Sequence, residues 1–193
     1  MKQSLHRGPG AVLASWLLLS LSTLAMASVF VGTGAKDAQA AIQEKDMQVV
    51  LRALAFRENA PSGTLTMAVL YDPSVSASQS DANTAKSILS GGYTAKGITI
   101  VPEMVTTSSI SSIANADVVY VTDGMSSHYS RVASLTNGKG ILTVGTDKDC
   151  VVSGGCIMYV QSTPSVEIVV NITSAKESNV NFKSAFRMMI DEI

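Results

Sequence analysis

Short apolar segments alternate with helix-forming segments along most of this chain of 193 residues. Four of the apolar segments read TLTMAVLYD, GITIVPE, DVVYVTDG and ILTVGTD. Nearly continuous apolar strands are typical of parallel sheets, because such strands are buried on both faces. Strands that alternate with helices form βαβ units, so the pattern predicts a mostly parallel sheet with helices on both faces.

The segments between these strands carry helical patterns. In EKDMQVVLRALAF the apolar residues recur at helical spacing and define one apolar face: Met47, Val50, Leu51, Leu54 and Ala55. SASQSDANTAKSILSGG, TSSISSIANA and SSHYSRVASLTNGKG are also predicted to be helical, with Gly or Asn-Gly ending two of them.

The last part of the chain predicts a different arrangement. CIMYVQ and SVEIVVN flank Thr163-Pro164 and predict an antiparallel hairpin at one edge of the sheet. The final segment, NFKSAFRMMIDEI, predicts a helix whose apolar face comprises Phe182, Phe186, Met189 or Ile190, and Ile193. The predicted fold is therefore an α/β three-layer sandwich with a mostly parallel sheet and an antiparallel C-terminal hairpin edge.

The first forty residues have the three parts of a secretory signal. A basic start with Lys2 and Arg7 precedes an apolar run over residues 11–31, and the small, polar stretch GTGAKDAQA comes next. Cleavage after Ala27 or after Ala40 would fit the small-residue rule, and the polar stretch favours Ala40. An uncleaved membrane anchor is the alternative, since about 20 apolar residues can span a bilayer. We expect a cleaved signal peptide in residues 1–40 and a single domain in residues 41–193.

Charge excludes some classes of partner. The chain has 14 Lys and Arg and 15 Asp and Glu, and residues 1–40 hold three of the bases but one of the acids. Residues 41–193 are therefore mildly acidic, without a basic patch for nucleic acid or a charge run for a membrane surface.

Cys150 and Cys156 are the only two cysteines, and a Ser-Gly-Gly turn lies between them. They could form a bond, a metal clip or a catalytic thiol. A metal site needs more ligands, yet His128 is the one histidine after the predicted signal. A catalytic thiol would need a His partner, which the sequence does not place nearby. In an exported protein the pair predicts a disulfide that shapes one loop, and a redox-sensing bond is the alternative.

Three predicted strands end near an aspartate: Asp72, Asp123 and Asp147. In open parallel sheets, ligands bind beyond the carboxyl ends of the strands. These carboxylates could therefore line a crevice for a ligand or a partner. Alternatively, each carboxylate caps a turn or the next helix.

Enzyme motifs are not found. The sequence has no G-x-S-x-G elbow and no P-loop, and the Gly-rich GTGA lies in the predicted signal. His128 has no evident nucleophile beside it and is expected to be a surface or capping residue. We therefore expect a protein that is not an enzyme, with no cofactor and no bound metal.

Several segments together resemble the YfiR/HmsC-like family of bacterial periplasmic proteins. They are MQVVLRALAF, LTMAVLYDP, ADVVYVTDG, TDKDCVVSGGCIMYVQ and the ending VEIVVNITSAKESNVNFKSAFRMMIDEI. The resemblance implies an α/β sandwich, a homodimer and no catalytic activity. It also implies that the protein binds the periplasmic sensor domain of an inner-membrane diguanylate cyclase and holds it inactive, which lowers cyclic di-GMP and biofilm formation.

The chain also departs from the family pattern. A second cysteine pair of the best-known member has no counterpart, and the aromatic-rich first helix is replaced by VVLRALAFREN. Because the second cysteine pair is missing, the resemblance does not imply a redox switch that uses that pair. Because the first helix differs, the resemblance does not imply the same partner surface. The alternative function is that of a periplasmic small-ligand-binding component of a transport or sensor system.

Overall fold

The computed structural model describes residues 41–193, so the predicted signal peptide in residues 1–40 lies outside the described residues. The strands are β1 Gly63–Tyr71, β2 Tyr93–Ala95, β3 Ile98–Thr106, β4 Val118–Val121, β5 Leu142–Gly145, β6 Met158–Gln161, β7 Glu167–Val170 and β8 Asp191–Glu192. The α-helices are α1 Glu44–Ala55, α2 Ser76–Leu89, α3 Tyr129–Thr136, α4 Lys148–Val152, α5 Ile172–Glu177 and α6 Ser184–Arg187. Two 3-10 helices span Thr107–Asn115 and Ser126–His128.

All eight strands belong to one sheet, in the order β2-β3-β1-β4-β5-β6-β7-β8. The central strands β3, β1, β4, β5 and β6 are parallel to one another. The pairs β2–β3 and β6–β7 are antiparallel, and β8 pairs parallel with β7. The predicted mostly parallel sheet with a C-terminal hairpin is confirmed.

Successive residues of the central strands pack into two different cores, because side chains alternate across a strand. In β4, Val118 and Tyr120 join the core that contains α1 and α2, whereas Val119 and Val121 join the opposite core. The opposite core contains α3, α4 and Ile113 from the longer 3-10 helix. Burial on both faces explains why these strands are apolar throughout, and it produces the three layers.

The predicted C-terminal helix is wrong after its first turn. α6 ends at Arg187, and the backbone then forms β8 beside β7. Met188 is 83% exposed, Met189 59% and Ile193 52%, so none of these side chains fills the core. Phe186 is buried and its ring centroid lies 5.0 Å from that of Phe182. The sheet edge offers main-chain hydrogen bonds to residues 191–193, and these bonds replace helical ones.

The sequence analysis also missed the hairpin between β2 and β3. Lys96 and Gly97 both have positive φ, 55° and 80°, as a two-residue hairpin turn of mirror-image type requires. Ala95 pairs with Ile98 across this turn. The hairpin adds an antiparallel edge strand at the far side of the sheet from β8.

No helix within residues 41–193 has the length and apolar character needed to cross a membrane.

Candidate functional site

The three aspartates predicted from the sequence come after neighbouring strands of the sheet. Asp72 comes directly after β1, whereas Asp123 and Asp147 come two residues after β4 and β5. Because β1, β4 and β5 are adjacent and parallel, their carboxyl ends lie at one edge of the sheet. This edge is where open α/β sheets bind ligands.

The carboxylate of Asp72 closes a turn with Ser74. Its Oδ1 accepts hydrogen bonds from the Ser74 amide at 2.8 Å and the Ser74 hydroxyl at 2.6 Å. These bonds lower the pKa of Asp72, because they favour the charged carboxylate. The other oxygen, Oδ2, lies 3.9 Å from His128 Nε2. His128 is therefore beside this edge, without a nucleophile in that contact.

The other two aspartates also bind their own turns. Asp123 Oδ1 accepts from the Gly124 amide at 2.7 Å. Asp147 precedes α4, and its Oδ1 accepts from the Asp149 amide at 2.9 Å, which caps the helix. No group of three His, Cys, Asp or Glu residues between residues 41 and 193 is arranged to hold a metal.

The disulfide loop begins beside Asp147. The structure contains the bond between Cys150 and Cys156, whose side chains are 1% and 0% exposed. The Cys156 amide also donates to the Cys150 carbonyl at 2.9 Å, so the loop is closed by main chain as well as by sulfur. A bond buried in this way is shielded from thiols in solution, which disfavours rapid exchange.

Tyr129 of α3 contacts both ends of the disulfide loop. Its hydroxyl donates at 2.5 Å to Oδ2 of Asp147, a residue that precedes the first cysteine of the loop. Gly155, before the second cysteine, packs so tightly that a Cβ there would lie 2.4 Å from Tyr129 Cβ. Burial and the Asp147 carboxylate raise the pKa of Tyr129, so the hydroxyl stays a donor at neutral pH.

A buried carboxylate that the sequence analysis missed lies behind the aspartate edge. Asp81 of α2 is 2% exposed and accepts three hydrogen bonds. Its Oδ1 accepts from the Ile42 amide at 2.9 Å, and its Oδ2 accepts from Tyr120 Oη at 2.5 Å and the Asp123 amide at 3.1 Å. Burial raises the pKa of Asp81, and these hydrogen bonds oppose that rise in part. Asp81 therefore joins residue 42, α2, β4 and the loop after β4.

One sequence signal could have indicated this cluster. Tyr120 is the single polar side chain within the apolar strand VVYV, and a buried tyrosine hydroxyl usually has a hydrogen-bond partner. The partner could not be identified, because Asp81 is 39 residues away on a helix with many polar residues.

A second buried carboxylate belongs to α1. Asp46 is 3% exposed, and its Oδ2 accepts from the Gln43 amide at 2.7 Å. Its other oxygen, Oδ1, is buried and accepts no hydrogen bond from the described part of the chain. No Lys or Arg within residues 41–193 forms an ion pair with Asp46 or Asp81. Burial of a carboxylate without a cation is costly.

The β8 edge presents apolar side chains to solvent. Met188, Met189 and Ile193 flank the two residues of β8 and are all more than half exposed. We call this set the β8 patch. Exposed apolar side chains beside an edge strand are typical of surfaces that bind another protein.

A family model described as YfiR/HmsC-like matches residues 46–189. No curated protein matches the chain. Solved structures match it in fold. One is the ABC domain in complex with L-Trp from Streptococcus pneumonia, at 12% identity and a TM-score of 0.56, covering 77% of this chain and 60% of that one. Another is a ligand-free, open substrate-binding protein with adhesive properties from Clostridium difficile, at 17% identity and a TM-score of 0.56, covering 78% and 59%. The chain thus spans about 60% of the length of these proteins, and the likeness extends to the fold alone.

Proposed function

The chain belongs to the YfiR/HmsC-like family, and from that membership we propose that it represses an inner-membrane diguanylate cyclase from the periplasm. In this proposal the protein is exported, binds the periplasmic sensor domain of the cyclase and holds the enzyme inactive. Cyclic di-GMP and biofilm formation then fall. The observation that carries the proposal is the family match over residues 46–189, which covers nearly all of the described fold.

The family supports a regulatory role rather than a catalytic one. A regulator of this kind works by contact with another protein, and the β8 patch supplies a surface suited to that contact. We propose the β8 patch as the surface that meets the cyclase. We also propose a homodimer, which sedimentation of the purified protein at several concentrations tests.

Deletion of the gene tests the regulatory function. We expect cyclic di-GMP and biofilm to rise in the deletion strain and to return to normal when the wild-type gene is restored. Unchanged cyclic di-GMP under several growth conditions would contradict the proposal. A pull-down from solubilised inner membrane, with the exported protein as bait, should recover a membrane protein with a cyclase domain.

Charge substitution tests the β8 patch. The double variant Met188→Glu and Met189→Glu should remain folded, because both side chains are exposed, but should fail to lower cyclic di-GMP. Val166→Glu is the matched control, since Val166 is 63% exposed and lies outside the patch. Full activity of the double variant would exclude the patch as the contact surface.

A second candidate function is that of a small-ligand-binding component of a transport or sensor system. The position of Asp72, Asp123 and Asp147 at the carboxyl ends of adjacent strands favours it. A thermal-shift screen of amino acids, small cations and sugars tests this candidate. A ligand whose stabilising effect is lost in Asp123→Ala, while cyclic di-GMP is unaffected by gene deletion, would favour it over the regulator.

A further inference from the structure

We propose that a signal peptidase hydrolyses the peptide bond after Ala40 and that the new α-ammonium group of Ala41 binds the buried carboxylate of Asp81. Water supplies the hydroxyl that completes the Ala40 carboxylate and the hydrogen that completes the Ala41 amine. The inference rests on the export included in the proposed function. It selects one of two cleavage points and gives the buried carboxylate of Asp81 a cation.

The chain is fixed close after the proposed cleavage point. Ile42 is 1% exposed and belongs to the core beneath α1, and its amide donates to Asp81 Oδ1 at 2.9 Å. The Gln43 amide donates to Asp46 Oδ2 at 2.7 Å, and the Gln43 side chain accepts from Thr163 Oγ1 at 2.9 Å. Ala41, in contrast, is exposed and accessible. The second residue after the bond that the peptidase would cut is therefore already part of the core.

The Ala41 nitrogen lies within reach of the Asp81 carboxylate. Successive backbone nitrogens are at most about 3.6 Å apart. The Ala41 nitrogen is therefore within about 6.5 Å of Asp81 Oδ1, given the 2.9 Å bond from the Ile42 amide. An ammonium at this distance acts on the charge of a buried carboxylate, and rotation of the exposed Ala41 can bring it closer.

The charge at this site is incomplete without such a group. The three donors to Asp81 are two amides and a tyrosine hydroxyl, all of them neutral. No Lys or Arg within the described residues pairs with Asp81. An α-ammonium brings one positive charge and three N–H donors. It would offset the burial of Asp81.

Cleavage after Ala27 would not produce this arrangement. Residues 28–40 would then remain attached, and Ala41 would contribute a neutral amide to the site. The two cleavage points therefore predict different charges beside Asp81, which makes them distinguishable by stability as well as by mass.

The first test identifies the N-terminus. The full chain is produced in a bacterial host that exports it, and the product is examined by intact mass and N-terminal sequencing. We expect the product to begin at Ala41. A product that begins at Ser28 overturns this inference and leaves the proposed export standing. A product that retains Met1 overturns both.

The second test measures the ion pair. Two glycines inserted between Ala40 and Ala41 in the full chain move the amine away from Asp81 and leave Ile42 in place. The unfolding equilibrium constant should be about tenfold larger for the insertion protein, which is the effect of one unit of pKa change. The same insertion in the Asp81→Asn background should change it less than about twofold if most of that one-unit effect depends on Asp81. Equal stability of the two N-terminal forms, or a difference that persists in Asp81→Asn, overturns the inference.

A third measurement applies if Asp81→Asn does not fold. The pKa of the terminal amine is obtained from the pH dependence of its labelling rate. It should exceed the ordinary range of about 7.7–8.0 in the form that begins at Ala41 and fall within that range in the insertion protein. Equal amine pKa values in the two forms overturn the inference.

Discussion

The hydroxyl of Tyr120 donates a 2.5 Å hydrogen bond to Asp81 Oδ2, and both residues are buried between the sheet and α2. Tyr120 is fully enclosed, and burial together with the Asp81 carboxylate raises the pKa of its hydroxyl well above the ordinary range. The tyrosine thus remains protonated and donates at every physiological pH. This bond connects the centre of the sheet to α2, whose Asp81 also accepts from the Ile42 amide.

Tyr120→Phe should lower the free energy of unfolding by about 1.5–3 kcal/mol, the range for a hydrogen bond to a charged group. The substitution keeps the ring in the core and removes one of three donors to a buried carboxylate. Urea unfolding measures the change. Tyr71→Phe is the control, because Tyr71 is half-buried and its hydroxyl makes no hydrogen bond within residues 41–193, and it should change the value by less than about 0.5 kcal/mol. Equal effects of the two substitutions would contradict the role given to the Tyr120 hydroxyl.

Acidification should stabilise the protein through Asp81. Its pKa is raised in the folded state, so the folded protein takes up this proton at a higher pH than the unfolded chain does. The resulting stability is present below the unfolded pKa of about 3.9 and is lost as the pH rises through the folded pKa. As the pH falls from 7 to about 4.5, the free energy of unfolding of the insertion protein should therefore increase relative to that of the same protein carrying Asp81→Asn.

The control for this titration is built into the comparison. Asp72 has a lowered pKa and makes the opposite contribution, but it is present in both proteins and cancels in the difference. Urea midpoints at the two pH values give the result. Parallel pH profiles for the two proteins would show that Asp81 is not the group that titrates.

Removal of the disulfide should cost about 2 kcal/mol, because the bond closes a short loop and constrains the unfolded chain only slightly. The double variant Cys150→Ser and Cys156→Ser, compared with the oxidised wild type by urea unfolding, measures this cost. Alkylation of the protein produced in an oxidising compartment should show no free thiol before reduction and two free thiols after it. Two alkylated cysteines without reduction would reject the bond.

Gly155→Ala should destabilise the protein by about 1–3 kcal/mol, the range for overpacking a filled core. An added Cβ would lie 2.4 Å from Tyr129 Cβ and 2.9 Å from Tyr129 Cα, and the Cα belongs to a helix that cannot move freely. Gly97→Ala is the comparison, since it has open space and a φ of +80°, and its cost of about 1 kcal/mol should be purely conformational. Thermal unfolding ranks the two. A smaller loss for Gly155→Ala than for Gly97→Ala would contradict the close contact.

The layers of the fold could be predicted because the residue composition of each central strand indicates whether one or both of its faces are buried. VVYV is buried on both faces, so its side chains are apolar apart from the hydroxyl of Tyr120. The end of the chain was mispredicted for the opposite reason. The spacing of Phe182, Phe186 and Ile190 fits a helix. It carries no information about β7, whose edge is free to form main-chain hydrogen bonds with the chain end.

The candidate site divides in the same way. The strand-end aspartates and the cysteine pair are local features, and a sequence shows them directly. Asp81 is different, because its partners Ile42, Tyr120 and Asp123 come from segments about 40 residues away on both sides. The sequence of α2 gives no sign that one of its polar residues is buried, since only the folded sheet brings those three donors together.

The contacts of Tyr129 predict what reduction of the Cys150–Cys156 disulfide would change. The ring and hydroxyl of Tyr129 join Asp147 to Gly155, and the Cys150 carbonyl accepts from Cys156, so the loop is closed by three means besides sulfur. Reduction should therefore leave the native conformation unchanged and increase the fraction of molecules that open. Susceptibility to proteases depends on that open fraction. Reducing conditions would thus shorten the lifetime of the protein in the presence of proteases and leave its native conformation unchanged.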